Sequence, residues 1–339
     1  MAKAADDEFR VAVLIPAFNE ESTIGKTVRD FRAALPNARI YVYDNNSTDG
    51  TARAAREAGA IARHETRQGK GHVVRRMFAD VEADIYVLVD GDDTYDALAA
   101  PRMIRRLLDG PCDMVTGCRL GAHEAAYRRG HRFGNWLLTA LVRRFFRKGV
   151  SDMLSGYRVF SRRFVKSFPC LATGFEIETE LTVHALQLNT PIDEAPTAYK
   201  ERPPGSVSKL STYRDGLRIL RTILILVKEE RPLFFFGVAA AAMAFASLAL
   251  GLPVVLEFLR TGLVPRFPTA ILSAALMLLA SLSFASGLIL DTVTRGRREV
   301  KRLAYLQHPP TCRAEADEMP AADSAPAQSG APERLVQAG

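Results

Sequence analysis

The sequence predicts an α/β domain built on a mostly parallel sheet with helices on both faces, followed by a two-helix membrane hairpin. Three observations carry this prediction. Apolar strands alternate with helical segments through the first third of the chain. Those strands are apolar throughout rather than at every second residue, the pattern of strands buried on both faces. Finally, Leu233 to Leu256 and Pro268 to Leu290 contain no charged residue, and each exceeds the roughly 20 residues that span a ~30 Å hydrocarbon core as a helix.

The elements follow in order. "RVAVLIPAF" reads as a strand, and "NEESTIGKTVRDFRAAL" as a helix opened by Asn19, its acidic residues suited to the positive helix end. "ARIYVYD" is a second strand, followed by a turn and helix in "NNSTDGTARAAREAG". "ADIYVLVD" is a third strand and "PRMIRRLLDG" the helix after it. In such sheets ligands bind beyond the carboxyl ends of the strands. The stretches at those ends, "PAFNEE", "DNNSTDGT" and "DGDDTYD", are polar and carboxylate-rich, and are expected to converge on one site. "GNWLLTALVRRFFRK", from Gly134, and "YRDGLRILRTILILVKEER", from Tyr213, mix large apolar residues with cations, as interfacial helices do. The domain division is a catalytic domain over 1–210, a juxtamembrane amphipathic helix over 211–231, two spans within 232–291 (about 233–256 and 268–290), and a basic segment with a disordered tail over 292–339.

Charge sets the orientation. "TRGRREVKR", Thr294 to Arg302, holds five basic residues and one acidic, so this end is cytoplasmic by the positive-inside rule, and two spans leave the N-terminal domain on the same side. A bacterial inner membrane is expected. "MAKAADDEFR" has no apolar h-region, so no cleavable signal peptide is expected. The net charge of +7 points to anionic lipid before nucleic acid, for which no module is visible. Four cysteines, Cys112, Cys118, Cys170 and Cys312, lack C-x-x-C spacing and histidine partners, so they read as reduced thiols.

"VDGDDTYDA", residues 89–97, crowds Asp90, Asp92, Asp93 and Asp96 at the end of a buried strand. Repulsion among them costs stability unless a cation offsets it. Oxygen ligands on a turn suit Mg2+ or Mn2+, which commonly combine one or two carboxylates with substrate phosphates. No histidine lies nearby, which argues against zinc.

The ordered set "PAFNEE", "DNNSTDGT", "GKG", "DGDD" and "SGYRVF" resembles the family 2 glycosyltransferases of GT-A fold, a Rossmann-like architecture. With its C-terminal hairpin the chain is similar to polyprenyl-phosphate sugar synthases related to dolichol-phosphate mannose synthase. The resemblance covers roughly residues 9–230. It implies that Pro16, Phe18 and Glu20 line the base and ribose pocket, that Asp44 contacts the nucleoside, and that Gly69, Lys70 and Gly71 lie along the nucleotide. The family often has a second acid where this chain has Asn45. Asp90 and Asp92 match the D-x-D pair, with Asp92 the direct metal ligand and Thr94 standing where relatives often place Gln. Asp93 is expected to support the metal site from behind its direct ligands, to face the acceptor, or simply to be solvated.

The resemblance further places Arg119 and Arg132 near an acceptor phosphate and Arg158 near the reacting phosphates, in keeping with the planar fork of arginine. Arg202, Ser208 and Lys209 fall on a loop closing near the membrane. Glu176, Glu178 and Glu180 stand at the start of a helix, where Glu176 or Glu178 could act as base. The implied reaction is metal-dependent, inverting transfer of a sugar from a UDP- or GDP-sugar to a polyprenyl phosphate. Partners are thus the nucleotide sugar, the lipid and the membrane, with self-association through the hairpin a further expectation. Three other readings stand beside it. A processive polysaccharide synthase lacks its Q-x-x-R-W motif here, Trp136 being the only tryptophan. A glycolipid hydroxyl could be the acceptor. A non-catalytic nucleotide-binding scaffold would lack metal-dependent turnover.

Overall fold

The computed structural model describes residues 9–110, 112–120, 152–174, 176–200, 225 and 228–311. The amphipathic segment from Gly134 and most of that from Tyr213 lie outside the described residues, as does the tail beyond 311.

Strands β1 (Val11–Ala17), β2 (Arg39–Asp44), β3 (Ile61–His64), β4 (Ile85–Leu88), β5 (Met114–Leu120), β6 (Arg158–Ser161) and β7 (Ile192–Ala198) form one sheet in the order β3-β2-β1-β4-β6-β5-β7. Only β6 runs against its neighbours, so the mostly parallel sheet expected from the sequence is present. Between strands lie α1 (Glu21–Ala34), α2 (Thr51–Glu57), α3 (Lys70–Asp80), α4 (Ala100–Asp109), α5 (Arg162–Ser167) and α6 (Ile177–Leu188).

The continuous apolar strands have the cause inferred for them. In β1, Val11, Val13 and Ile15 pack into one buried cluster with residues of α1, α2 and α4. Ala12 and Leu14 enter the other with residues of α3, α5 and α6. Period-two alternation thus feeds two cores, and each fully buried Val, Leu or Ile contributes about 1.5–3 kcal/mol.

Helix α1 begins at Glu21, with Glu20 at its cap position, rather than at Asn19. Asn19 instead takes a left-handed conformation, φ 51°, and its Oδ1 accepts from the Thr48 amide at 2.8 Å. The residue that resembled a cap fastens one strand-end loop to the next.

After the sheet come two long helices, α7 (Pro232–Thr261) and α8 (Phe267–Leu306), both long and apolar enough to cross a membrane. They pack as a hairpin on small residues. The Ser247 hydroxyl donates to the Ser273 carbonyl at 2.8 Å and the Ser273 hydroxyl to that of Ser247 at 3.0 Å. Ser283 donates to the Phe236 carbonyl, close to where Gly287 meets Leu233 and Phe236. Small residues at such contacts let two helices approach closely. Phe245, Leu248, Leu259, Leu278, Leu282 and Ile289 stay exposed on the outside of the pair.

Candidate active site

Because β1, β2 and β4 are adjacent and parallel, their polar C-terminal ends meet. The Asn19 amide donates to Ser47 Oγ at 2.9 Å, the Glu20 amide to Thr51 Oγ1 at 2.9 Å, and Thr23 Oγ1 to the Gly91 carbonyl at 2.8 Å. Pro16 sits where β1 has outrun β4, whose ladder ends at Leu14–Leu88, so its missing N–H costs no bond on that side. Phe18 and Glu20 are half-buried just beyond it.

The four aspartates of the acidic turn have separate surroundings. Asp90 Oδ1 lies 2.5 Å from the Lys70 ammonium, which is equally close to Glu178 Oε1. Burial by itself would depress the Lys70 pKa, but Asp90 and then Glu178 outweigh it and hold the amine above its usual range. Asp92 is buried and accepts from the Thr94 hydroxyl at 2.6 Å. Asp93, at φ 57°, pairs with Lys26 at 2.8 Å. Asp96 Oδ1 accepts from the Leu98 amide at 3.1 Å, opening a short turn of 3-10 helix.

The "SGYR" segment is pressed onto this turn. A Cβ on Gly156 would stand 2.3 Å from Asp90 Oδ2, so a larger residue there forces the carboxylate or the loop to move. The Gly156 amide donates to Tyr95 Oη at 3.0 Å, and the Lys200 amide to the Thr94 carbonyl at 2.8 Å.

Gly69 opens α3 with φ 134°, and a Cβ there would meet the Thr173 carbonyl at 2.2 Å. A Cβ on Gly71, buried in the first turn, would be nearly as close to the Ala172 carbonyl. The glycines therefore bring α3 against the 171–174 loop, while Lys70 between them reaches inward. That loop is held in turn by two of the acids at the start of α6. Glu176 Oε1 accepts from the Gly174 amide at 3.0 Å, and Glu180 accepts from the Leu171 and Ala172 amides at 2.9 and 2.7 Å. Burial would raise the Glu176 carboxyl, but bonds from its own amide and those of Gly174 and Thr173 win and lower it.

On the β2 side, Asp44 is buried and lies 3.2 Å from Nδ1 of the half-exposed His64. Asn45 is an internal brace. Its Nδ2 donates to the Glu65 and Arg67 carbonyls at 3.1 and 2.7 Å, and its Oδ1 accepts from the Gly69 amide at 2.7 Å. An aspartate could not make the two donations, which gives the departure from the family pattern a structural reason.

Two expectations are revised. Arg158 is fully buried. It donates to the carbonyls of Ser155 and Met153 at 3.0 and 2.7 Å and to Thr182 Oγ1 at 2.8 Å. Burial is the largest influence on its pKa, which is lowered. It braces the loop behind Asp90 rather than facing a ligand. Thr94 is fully buried with its hydroxyl committed to Asp92, so it orients that carboxylate rather than presenting an independent ligand oxygen. Arg119 lies in β5 in a bidentate pair with Asp152, at 2.7 and 2.8 Å, its guanidinium 5.5 Å from the Tyr199 ring centroid. Arg132, Arg202, Ser208 and Lys209 lie outside the described residues. Sequence reasoning missed His64, Tyr95 and Asp152. Tyr95 adjoins the acidic turn and could have been found there; the other two carry no local signal.

Known proteins bear on this geometry. The profile described as Glycosyl transferase family 2 matches residues 12–168. Glycosyltransferase AglJ of Haloferax volcanii is 32% identical over 300 residues, covering 88% of this chain and 98% of that one. The dolichyl-phosphate hexose transferase of the same organism is 28% identical, covering 65% of this chain and 95% of its own. Among solved structures, glucosyl-3-phosphoglycerate synthase from Mycobacterium tuberculosis, in complex with Mn2+, UDP and glucosyl-3-phosphoglycerate, matches with a TM-score of 0.53 at 25% identity, over 66% of this chain and 81% of that one.

Proposed function

The chain belongs to glycosyl transferase family 2, and from that premise we propose that it moves a sugar from a nucleotide sugar to a polyprenyl phosphate at the cytoplasmic face of a membrane. One observation carries the reading. Asp90, Asp92 and Lys70 stand together at the strand ends of a domain whose chain continues into two helices with exposed apolar surfaces. Apolar surface on that scale is stable against lipid, not water. With two spans, the basic residues of Thr294 to Arg302 support a reading in which both chain ends lie inside.

Asp92 and Asp90 offer oxygen donors only, which fits Mg2+ or Mn2+ with the remaining ligands drawn from phosphate and water. Among the described residues no cluster of three or more His, Cys, Asp and Glu could hold a metal without such help. When bound, the ion supplies Lewis-acid neutralisation of charge on the departing diphosphate. Asp92 holds its ligand oxygen where the Thr94 hydroxyl aims it. Lys70 offsets the charge of Asp90, and Asp44 meets the nucleoside at the far end. Arg119, stiffened by Asp152 and Tyr199, stands in β5 to draw in the acceptor phosphate. An oxygen of that phosphate forms the new bond to the anomeric carbon while the bond to the nucleoside diphosphate breaks on the opposite side, inverting the centre. No proton need be removed, because the second pKa of a phosphate monoester is about 6. Positioning and fixed charge supply the rest.

The hydroxyl-acceptor alternative needs a free carboxylate base. Glu176 is committed to backbone amides and Glu178 to Lys70, which favours the phosphate acceptor. The test is turnover in detergent with undecaprenyl phosphate, Mn2+ or Mg2+, and a panel of UDP- and GDP-sugars, reading nucleoside diphosphate and the mass of the lipid. A lipid-phosphate hexose from one donor, absent with Asp92→Ala or EDTA, is the expected result. Nucleotide binding with no lipid product across the panel would overturn it.

A further inference from the structure

The last helix continues beyond its apolar stretch and grips the catalytic domain along one edge. Near where α7 begins, the Thr294 hydroxyl donates to the Glu229 carbonyl at 3.1 Å, and Arg298 donates to Glu230 Oε2 at 3.0 Å. Lys301 then donates to Gln187 Oε1 at 2.6 Å; Gln187 Nε2 itself donates to Glu230. One turn on, the Tyr305 hydroxyl donates to Asp113 Oδ2 at 2.6 Å, under the guanidinium of Arg163 at 4.7 Å from the ring centroid. Past the helix end, the Thr311 hydroxyl donates to the Asp84 carbonyl at 3.3 Å.

These partners share a location. Gln187 lies in the last turn of α6 just before β7, Asp113 precedes β5, Arg163 follows the antiparallel β6, and Asp84 precedes β4. All lie on the edge of the sheet opposite the catalytic strand ends. Along the helix they are met in the order β7, β5 with β6, then β4, which is spatial order in the sheet. The spacing agrees: Lys301 to Tyr305 is a rise of ~6 Å, against one strand separation of ~4.8 Å. The helix therefore crosses the strands, and strand order becomes height above the membrane. Asp113 is buried and takes bonds from Ser161, Arg163 and Tyr305 together, so the junction is built into the core.

We infer that the stretch of α8 beyond Leu290 is a stalk that holds the sheet on edge over the bilayer, with β7 and β5 nearest the lipid and β2 and β3 farthest. This rests on the membrane reading proposed above and extends it. Arg119, in β5, then faces the lipid side, while Asp44, ending β2, stands five strands from β7 and so ~24 Å farther out than that strand. The acceptor enters from the bilayer and the nucleotide from water, without crossing paths. Tyr305 and Lys301 are positioning residues in this arrangement.

The test reads orientation directly. A fluorescent amino acid is incorporated at Ala198, exposed on β7, or at Ile61, exposed on β3. Energy transfer to a dye on lipid headgroups is then measured in nanodiscs of the full chain. Transfer several-fold stronger from Ala198 is expected; equal or reversed transfer overturns the proposal. No transfer from either position would fail the membrane reading itself, and neither result depends on the enzyme turning over. In the second arm, Tyr305→Phe with Lys301→Met lowers kcat/KM for bilayer-embedded undecaprenyl phosphate about tenfold, a loss of transition-state access. Donor KM and the rate on a short, water-soluble polyprenyl phosphate stay unchanged. Equal loss on both acceptors would mark the contacts as structural only and overturn the positioning role.

Discussion

Lys70 and Glu178 are 108 residues apart in the chain, yet the lysine Nζ stands 2.5 Å from the glutamate Oε1, with Asp90 Oδ1 at the same distance. One largely enclosed cation therefore joins the acidic turn, the start of α3 and the start of α6. Lys70→Met leaves Glu178 buried without its counter-charge and is expected to destabilise by about 3–5 kcal/mol. Adding Glu178→Leu should recover part of this, because the two residues share one interaction. Denaturant melts of the four proteins in detergent check it; independent, additive losses would contradict the coupling.

Gly156→Ala tests the packing of "SGYR" on the acidic turn. The new methyl would lie 2.3 Å from Asp90 Oδ2, so either the carboxylate or the loop must move. A displacement near 1 Å costs about 100-fold in turnover, with the melting temperature little changed. Steady-state kinetics beside a melt distinguish this from unfolding.

Asn45→Asp brings the chain nearer the pattern common in its family, and is expected to harm it. Two donated bonds, to the Glu65 and Arg67 carbonyls, are lost at a buried position, costing about 1–3 kcal/mol. The loop leading to Gly69 loosens, so donor KM rises more than kcat falls. Improved donor binding would contradict this account.

Acid stability has a traceable contributor in His184. Burial first, then the charge of Lys301, lowers its pKa from 6.5 to about 3, and its Nδ1 has no hydrogen-bond partner among the described residues. Because the folded pKa is depressed, the unfolded chain binds the proton first as pH falls below 6.5. Stability is then lost at about 1.4 kcal/mol per pH unit, until the folded form also protonates near pH 3. His184→Leu should flatten this limb between pH 6 and 4, read as melting temperature against pH; an unchanged slope would contradict the assignment.

Much of the sheet was legible because burial on both faces leaves a direct mark on β1, β2 and β4. Their polar ends could be brought together by topology alone. Other parts left no such mark. Arg158 lies in "SGYRVF", where an arginine reads as a surface or ligand group, but Met153, Ser155 and Thr182 satisfy its guanidinium inside the core. Asn19 has the chemistry of a helix cap and is used to join loops instead. Pairings such as Arg119 with Asp152, or Tyr305 with Asp113, depend on chain segments that meet only after folding. A local pattern cannot announce them.

In the proposed reaction the acceptor atom is a phosphate oxygen of a polyprenyl lipid. Phosphorus NMR of the lipid recovered from a complete reaction reads that atom. Transfer to the phosphate converts the monoester resonance to that of a diester, coupled to the anomeric proton of a sugar in inverted configuration. A lipid that gains the sugar while its monoester resonance stays in place would put the sugar on a hydroxyl, and would contradict the account.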